Sequence, residues 1–305
     1  MGWSTTADLD EFLAAAGDYL RARAAENIVL LSAAQDALDG SRGRNDDPLY
    51  GWWEPQDGAG PRGAFLHDPS RPLVIAGRAP EPAAALATPL ARAGRAVSGV
   101  DAPTAAADAF AAAWSQRSGT AVKLHHSTQV YRLASPVMDY EGPSGRARPA
   151  TWADRELLVA WMRALGNEIG NFAQVPEAST DALLGYGGAA FWEAGDGPVA
   201  MALVTRPVAG VLRITTVYTP PEYRGHGYAV AIMVAVCRAA LIGRAREVAV
   251  ITDRARPLRQ AIRLGFELAG ERAVLSFGPP TGPLPIQQPS GPAPRAPTGP
   301  KPRLR

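Results

Sequence analysis

The segment LRITTVYTPPEYRGHGYAVAIMVAVCRAAL, residues 212–241, changes character twice. Its first part, from Leu212 to Thr219, is rich in β-branched residues and predicts a strand. Pro220 and Pro221 stop that strand, because neither can donate to a ladder. Arg224, Gly225, His226 and Gly227 predict a glycine-containing turn, and residues 228–241 predict an apolar helix. A strand that ends at prolines and reopens through such a turn leaves several backbone N–H groups unpaired at the helix start, aimed at one point. The positive end of the helix dipole favours an anion there, the two glycines let the chain approach a ligand closely, and Arg224 adds a formal charge at the rim. The arrangement suits a phosphate. A short Gly-x-Gly before a helix also occurs as an ordinary turn, so the local pattern by itself leaves both readings open.

Outward from this segment the chain alternates strands and helices. On its C-terminal side, strands are expected at 247–252 and 273–277, with a short helix over 257–264 between them. On its N-terminal side, 189–193 and 198–205 flank the turn Gly195-Asp196-Gly197 as a hairpin. Before that, Asp154, Leu157, Leu158, Trp161, Met162 and Leu165 share one helical face behind a Thr151 cap. Residues 135–149 are rich in Pro, Gly and Ser, lack periodicity and predict a linker. The first part of the chain has an α/β pattern of its own. Helices are expected over 9–20, with Thr5 and Asp8 as a start signal, and over 26–39, 82–95 and 104–117. Extended runs are expected at 49–53, 63–67, 73–76 and 122–133. The expected organisation is an N-terminal α/β domain over 1–134, a linker over 135–149, a second domain over 150–278 and a disordered tail over 279–305. That tail has 10 prolines in 27 residues and too little apolar area to offset the entropy of ordering.

Composition limits the partners. The chain is 47% hydrophobic and 20% charged, the balance of a globular protein with a sizeable core. Its formal charge of +2 comes from Arg295, Lys301, Arg303 and Arg305 in the acid-free tail, which leaves the remainder net acidic. Nucleic-acid binding, which would want basic residues clustered on a folded face, is therefore not expected. Cys237 is the single cysteine, so there is no intramolecular disulfide and no cysteine-based zinc site. His125 and His126 are neighbours in an alternating segment and point to opposite faces, so no metal is expected. Without a leader-like or membrane-spanning apolar run, a cytoplasmic location off the membrane is expected.

Arg224, Gly227 and Ala229 match the pattern Arg/Gln-x-x-Gly-x-Gly/Ala of the GCN5-related (GNAT) N-acetyltransferases. The run Val217-Tyr218-Thr219-Pro220-Pro221 looks like the end of that family's fourth strand, and residues 248–253 and Leu264-Gly265-Phe266 follow in the family's order. The resemblance covers residues 146–277. It implies an α/β (α+β) fold with a mixed, mostly antiparallel twisted sheet flanked by helices. The smaller preceding α/β domain, of degenerate GNAT-like form, resembles the first half of tandem or N-terminally extended members. In that first half Ile75-Ala76-Gly77-Arg78 leads into a helix without the loop motif, so no coenzyme is expected there.

The resemblance further implies acetyl-CoA as co-substrate and no metal. Val217, Tyr218 and Thr219 would hold the pantetheine arm, and Arg224, Gly225, His226, Gly227, Tyr228 and Ala229 would hold the pyrophosphate. A neutral amine of a small or amino-acid-like acceptor would attack the thioester directly, in a monomer or homodimer. Tyr218 lies beside the thioester on this reading, or serves as a half-buried strand tyrosine. Glu168, at the end of the first helix of the second domain, is the leading candidate base, ahead of Glu193 and Glu222. The family's proton-donating tyrosine is replaced: Ala261 or Arg263 stands there, depending on alignment. Arg256, Arg259 and Arg263 are spaced to meet a 3′-phosphate or to form a solvated face. The alternative to an enzyme is a catalytically decayed acyl-CoA-binding sensor or partner module.

Overall fold

The β-branched and apolar runs assemble into one sheet of 12 strands. The computed structural model describes residues 2–39, 47–137, 139–169, 177–195, 197–243, 245–254 and 262–278. The readings at 255–261, at Asp196 and from 279 onward lie outside the described residues. The first half runs β1 (Gly2–Thr6), α1 (Leu9–Ala22), α2 (Ile28–Leu38), β2 (Leu49–Glu54), β3 (Gly63–His67), β4 (Leu73–Ala76), α3 (Pro80–Arg92), β5 (Gly99–Pro103), α4 (Thr104–Ser118) and β6 (Val122–Leu133). The second runs β7 (Arg146–Pro149), α5 (Arg155–Glu168), α6 (Glu177–Gly185), β8 (Ala189–Ala194), β9 (Gly197–Val204), β10 (Val211–Tyr218), α7 (Tyr228–Gly243), β11 (Glu247–Asp253) and β12 (Glu267–Phe277).

Strand order shows how the halves are related. Across the sheet it is β1-β2-β3-β4-β5-β12-β6-β11-β10-β9-β8-β7. Read from either end the pattern is the same, so β1 to β6 correspond to β7 to β12 about a pseudo-twofold axis between β6 and β12. Pairing is antiparallel throughout except for β4 with β5 and β10 with β11, which are themselves counterparts. Each half lends its last strand to the other: β6 pairs with β11 from Leu133↔Val248 to Thr128↔Asp253, and β12 pairs with β5 from Pro103↔Arg272 to Gly99↔Ser276. The two exchanged strands pair with each other from Arg132↔Glu267 to Val122↔Phe277.

Helices cover both faces. Ala64 and Leu66 of β3 face α1 and α2, whereas the intervening Phe65 faces α3 and α4. In the second half, Phe191, Met201 and Leu203 face α5 and α6, whereas Ala200 and Ala202 face Ile232 of α7. Val211 and Ala249 belong to the α1 and α2 core and Val248 and Val250 to the α7 core, which sets α1, α2, α5 and α6 on one face. Cys237, wholly buried in that α7 core, has its thiol pushed up to about 12 by burial and is a packing residue.

The expected helices and strands largely form, with instructive differences. The cap of α1 is Asp8, whose Oδ1 accepts from the N–H of Asp10 and Glu11, while Thr5 lies in β1. Four elements were not foreseen: β1, β5, β7 within the segment assigned to the linker, and α6. The last strand begins at Glu267 rather than at Ala273.

Thr151 and Asp154 form the expected capping box, with Asp154 Oδ2 accepting from Thr151 N–H at 2.8 Å. Arg148 of β7 grips the same carboxylate with two N–H groups at 2.7 and 2.8 Å, and its Nε donates to Glu193 of β8. This network fastens the start of α5 to the sheet edge, and the Arg148 hydrogen bonds hold the Asp154 carboxyl well below the usual carboxylate range. A carboxyl depressed in the folded state stabilises above its unfolded value near 4 and loses that contribution as pH falls towards its folded value. Asp154→Asn should therefore destabilise the chain at pH 7 by about 1–3 kcal/mol. Urea titrations at pH 7 and pH 3 check this, and the gap between the two proteins should narrow at the lower pH.

Candidate active site

The site forms where β10 leaves β11. Their parallel ladder runs only from Val211↔Glu247 to Ile214↔Val250, although both strands continue beyond it. At the same point the register of β10 against β9 shifts between Ile214 and Thr216, a bulge braced by Thr215 Oγ1 donating to the Leu203 carbonyl at 3.2 Å. The bulge twists β10 away, and the edge of Thr216, Val217 and Tyr218 that faces β11 has no β11 partner. An extended, amide-bearing molecule could pair with that edge as a strand would.

Beyond Tyr218 the chain turns as expected. Pro221–Tyr223 is a single 3-10 turn, Gly225 and Gly227 adopt φ of 84° and 83°, and α7 begins at Tyr228. Positive φ is what demands glycine here, because a Cβ would meet nothing within 4 Å at Gly225 and only the Pro143 ring, at 3.7 Å, at Gly227. Among the described residues no backbone carbonyl accepts from the N–H of Gly225, His226, Gly227, Tyr228 or Ala229, and the first turn-closing bonds are those of Val230 and Ala231 to Gly227. The Thr219 hydroxyl beside them is buried with no partner among the described residues. Unpaired donors at the positive end of a helix, with an orphaned buried hydroxyl alongside, fit a pyrophosphate and the amide-bearing arm attached to it.

Three side chains brace this cradle. Arg224 Nε donates to the Thr219 carbonyl at 2.9 Å, and its Nη2 donates to Glu168 Oε2 at 2.6 Å. Tyr218 Oη donates to Glu168 Oε1 at 3.1 Å, and its ring lies under the Arg224 guanidinium at 6.0 Å. Burial, with the adjacent Glu168 carboxylate, raises the Tyr218 phenol above its ordinary value, so it stays protonated at neutral pH. The end of α5, the end of β10 and the glycine loop are thus joined through one carboxylate. His226 Nδ1 lies 3.0 Å from the Arg224 carbonyl, and its ring stacks on Tyr228 at 5.6 Å.

The structure brings together Tyr218, Glu168, Thr219, Arg224 and the glycine loop. It does not bring Glu193 to them, since that carboxylate is tied to Arg146 and Arg148 at the sheet edge. Glu222 is exposed on the 3-10 turn and Arg263 is exposed on the chain entering β12; Ala261, Arg256 and Arg259 lie outside the described residues. Two features were missed from sequence. The Arg224–Glu168 pair joins residues 56 positions apart. The segment assigned to the linker packs its Val137 and Tyr140 on the α7 core and its Val137 carbonyl accepts from Arg238 Nε at 2.6 Å. Among the described residues no group of three His, Cys, Asp or Glu is placed to hold a metal, and no helix is long and apolar enough to cross a membrane.

No protein-family model matches the sequence, and no curated protein matches it. Solved structures do. A GCN5-related N-acetyltransferase from Sphaerobacter thermophilus superposes with a TM-score of 0.60 at 16% identity, over 94% of this chain and 98% of that one. A GNAT-family acetyltransferase from Colwellia psychrerythraea superposes with a TM-score of 0.55 at 12% identity, over 92% of this chain and all of that one. A Drosophila protein superposes with a TM-score of 0.58 at 12% identity, over 92% and 99%. The likeness is one of fold: this chain has the GNAT fold, and its pseudo-twofold sheet sets two such units in tandem.

The cradle makes a specific demand at Gly227. Gly227→Ala should cost about 1–2 kcal/mol of stability through its left-handed backbone alone. Gly227→Glu adds a negative charge at the same place and should weaken binding of a pyrophosphate-bearing ligand, with acetyl-CoA as the probe, by at least about tenfold beyond the alanine variant. Calorimetric titration of both folded variants checks this, and equal affinities would remove the loop from coenzyme binding.

Proposed function

We propose that this chain is an acetyl-CoA-dependent N-acyltransferase whose second half transfers an acetyl group directly to an amine of a small or amino-acid-like molecule in the cytoplasm. One observation carries the reading: the strand edge freed where β10 parts from β11 leads straight into five adjacent N–H groups with no carbonyl partner among the described residues. That pairing of a peptide-like slot with an anion cradle matches a ligand that is amide-bearing at one end and a pyrophosphate at the other.

Thr216 to Tyr218 and Thr219 would hold the pantetheine arm, and Gly225 to Ala229 the pyrophosphate, with Arg224 fixing the loop from behind. Acetyl-CoA supplies the acyl group as a thioester, whose thiol, with a pKa near 8.5, is a tolerable leaving group at neutral pH. The acceptor amine must lose a proton as it attacks. Tyr218, whose hydroxyl donates to Glu168, would accept that proton on its phenolic oxygen while passing its own to Glu168, so the carboxylate gains a proton and the phenol is restored. Solvent then protonates the departing thiolate. The second reading, a coenzyme-binding sensor without transfer, rests on the absence of a phenol at both Ala261 and Arg263.

The test is thiol release from acetyl-CoA against amines, amino acids, polyamines, aminoglycosides and peptides. With a genuine acceptor, Tyr218→Phe should lower kcat by about tenfold to hundredfold and leave acetyl-CoA affinity unchanged. An unchanged kcat would take Tyr218 out of the proton path. Tight coenzyme binding with no transfer to any amine would establish the sensor.

A further inference from the structure

The pseudo-twofold axis gives the first half counterparts of the parting strands and of the arginine–carboxylate pair, with different chemistry. The β4–β5 ladder, like that of β10 and β11, is short, from Leu73↔Val100 to Val74↔Asp101. Gly77, with φ of 116°, and Arg78 then lead into α3. Arg78 donates to the Glu26 carboxylate from Nε at 2.7 Å and Nη2 at 2.9 Å, as Arg224 donates to Glu168. The slot between the parting strands, however, is filled by a side chain. Arg272 of the exchanged strand β12 is only 3% exposed, and its guanidinium donates to the Asp101 carboxylate at 2.8 Å, to the Asp101 carbonyl at 2.9 Å and, more weakly, to the Ile75 carbonyl at 3.5 Å. A pantetheine arm could pair with the strand edges here only by displacing a buried, paired arginine and leaving Asp101 without its partner.

What stays open is the space beside the plug. A cavity of about 590 Å³ is lined by Arg21, Arg23, Arg78, Arg132 and Arg246, against two carboxylates, Glu26 and Glu247. It shares Glu26, Arg78, Leu268 and Ala269 with a second cavity of about 350 Å³ that reaches Arg272. Both carboxylates are matched, Glu26 by Arg78 and Glu247 by Arg132. Arg23 and Arg246 are exposed and have no carboxylate within ion-pair distance among the described residues. Arg21 is paired with Asp18 and Arg132 also with Glu267, and Arg246 Nη2 donates to the Ala209 carbonyl at 3.1 Å, so Arg23 and Arg246 are the two guanidinium groups that bring unmatched positive charge to the concavity, as rigid forks suited to carboxylate and phosphate oxygens.

We propose that this cavity is a binding site for a small polyanion, a tricarboxylate or a phosphate compound, separate from the coenzyme cradle. In the first half the slot between the parting strands is filled by Arg272, and the arginine-lined cavity beside it is walled by both halves. It opens at the N-terminal ends of β10 and β11, where Val211 and Glu247 contribute to its wall, while the coenzyme cradle opens at their C-terminal ends.

Calorimetric titration of the full chain with citrate and with pyrophosphate, at physiological salt, tests this. Saturable binding of one equivalent of either is expected, and whichever binds identifies the source of the anionic groups. The double variant Arg23→Ser, Arg246→Ser should weaken that binding by about tenfold or more and leave acetyl-CoA affinity unchanged. Gly227→Glu should leave the polyanion affinity unchanged. The proposal is overturned if neither anion binds, if the double variant binds as before, or if Gly227→Glu abolishes binding, which would place the anions in the coenzyme cradle. A second equivalent of acetyl-CoA lost on mutation of Arg23 and Arg246 would also overturn it, because the first half would then be a coenzyme site. None of these outcomes depends on acyl transfer.

Discussion

Everything else in this molecule depends on the antiparallel pairing of β6 with β12. Each half ends in a strand that its own sheet does not use: β6 completes the ladder of β11, and β12 that of β5. Each exchanged strand supplies the backbone partners that its neighbour's edge would otherwise lack, so an unpaired edge in either half is removed only by the presence of the other. The seam is long, from Arg132↔Glu267 to Val122↔Phe277, and it turns two GNAT units into one continuous sheet.

The same seam makes the two clefts unequal. In the second half the parting of β10 and β11 leads to the glycine loop, and the carboxylate of Glu168 ties the end of α5, the strand end and the loop together. In the first half the matching cleft is crossed by Arg272, which arrives on the strand exchanged from the other half. The polypeptide that completes the first sheet thereby closes its slot. Arg78 with Glu26 and Arg224 with Glu168 occupy corresponding places, one beside a plugged slot and the other beside an open one.

Local chemistry made much of the architecture legible before any coordinates. The β-branched run of β10, the prolines that stop it, the two glycines that can take positive φ and the apolar α7 each signal their conformation locally, and they lie where the spacing places them. The strands missed carry weak local signals. β5 is Gly-Val-Asp-Ala-Pro, three of its five residues poor strand formers, yet it lies in mid-sheet because Arg272 satisfies Asp101 and α4 covers Val100 and Ala102. β1 has a single large apolar residue, Trp3, which sits opposite Trp53 of β2 and packs on Phe65. β7 falls in the segment assigned to a linker for its Pro, Gly and Ser content and lack of periodicity, whereas its Arg146 and Arg148 both pair with Glu193 across the edge.

By itself the sequence determined the turn at Gly225 and Gly227, the donors it leaves bare and the tyrosine at the end of the strand before it, because backbone conformation there follows from residue type within a few positions. Only the tertiary structure decided that Glu168 is the carboxylate that reaches Tyr218 and Arg224, that Arg272 closes the first cleft, and that the two halves share one sheet. These are contacts between residues 50 to 171 positions apart, and no local preference specifies them. Strand exchange depends on which edge lies within reach once both halves have formed, and that is a property of the assembled sheet rather than of any segment within it.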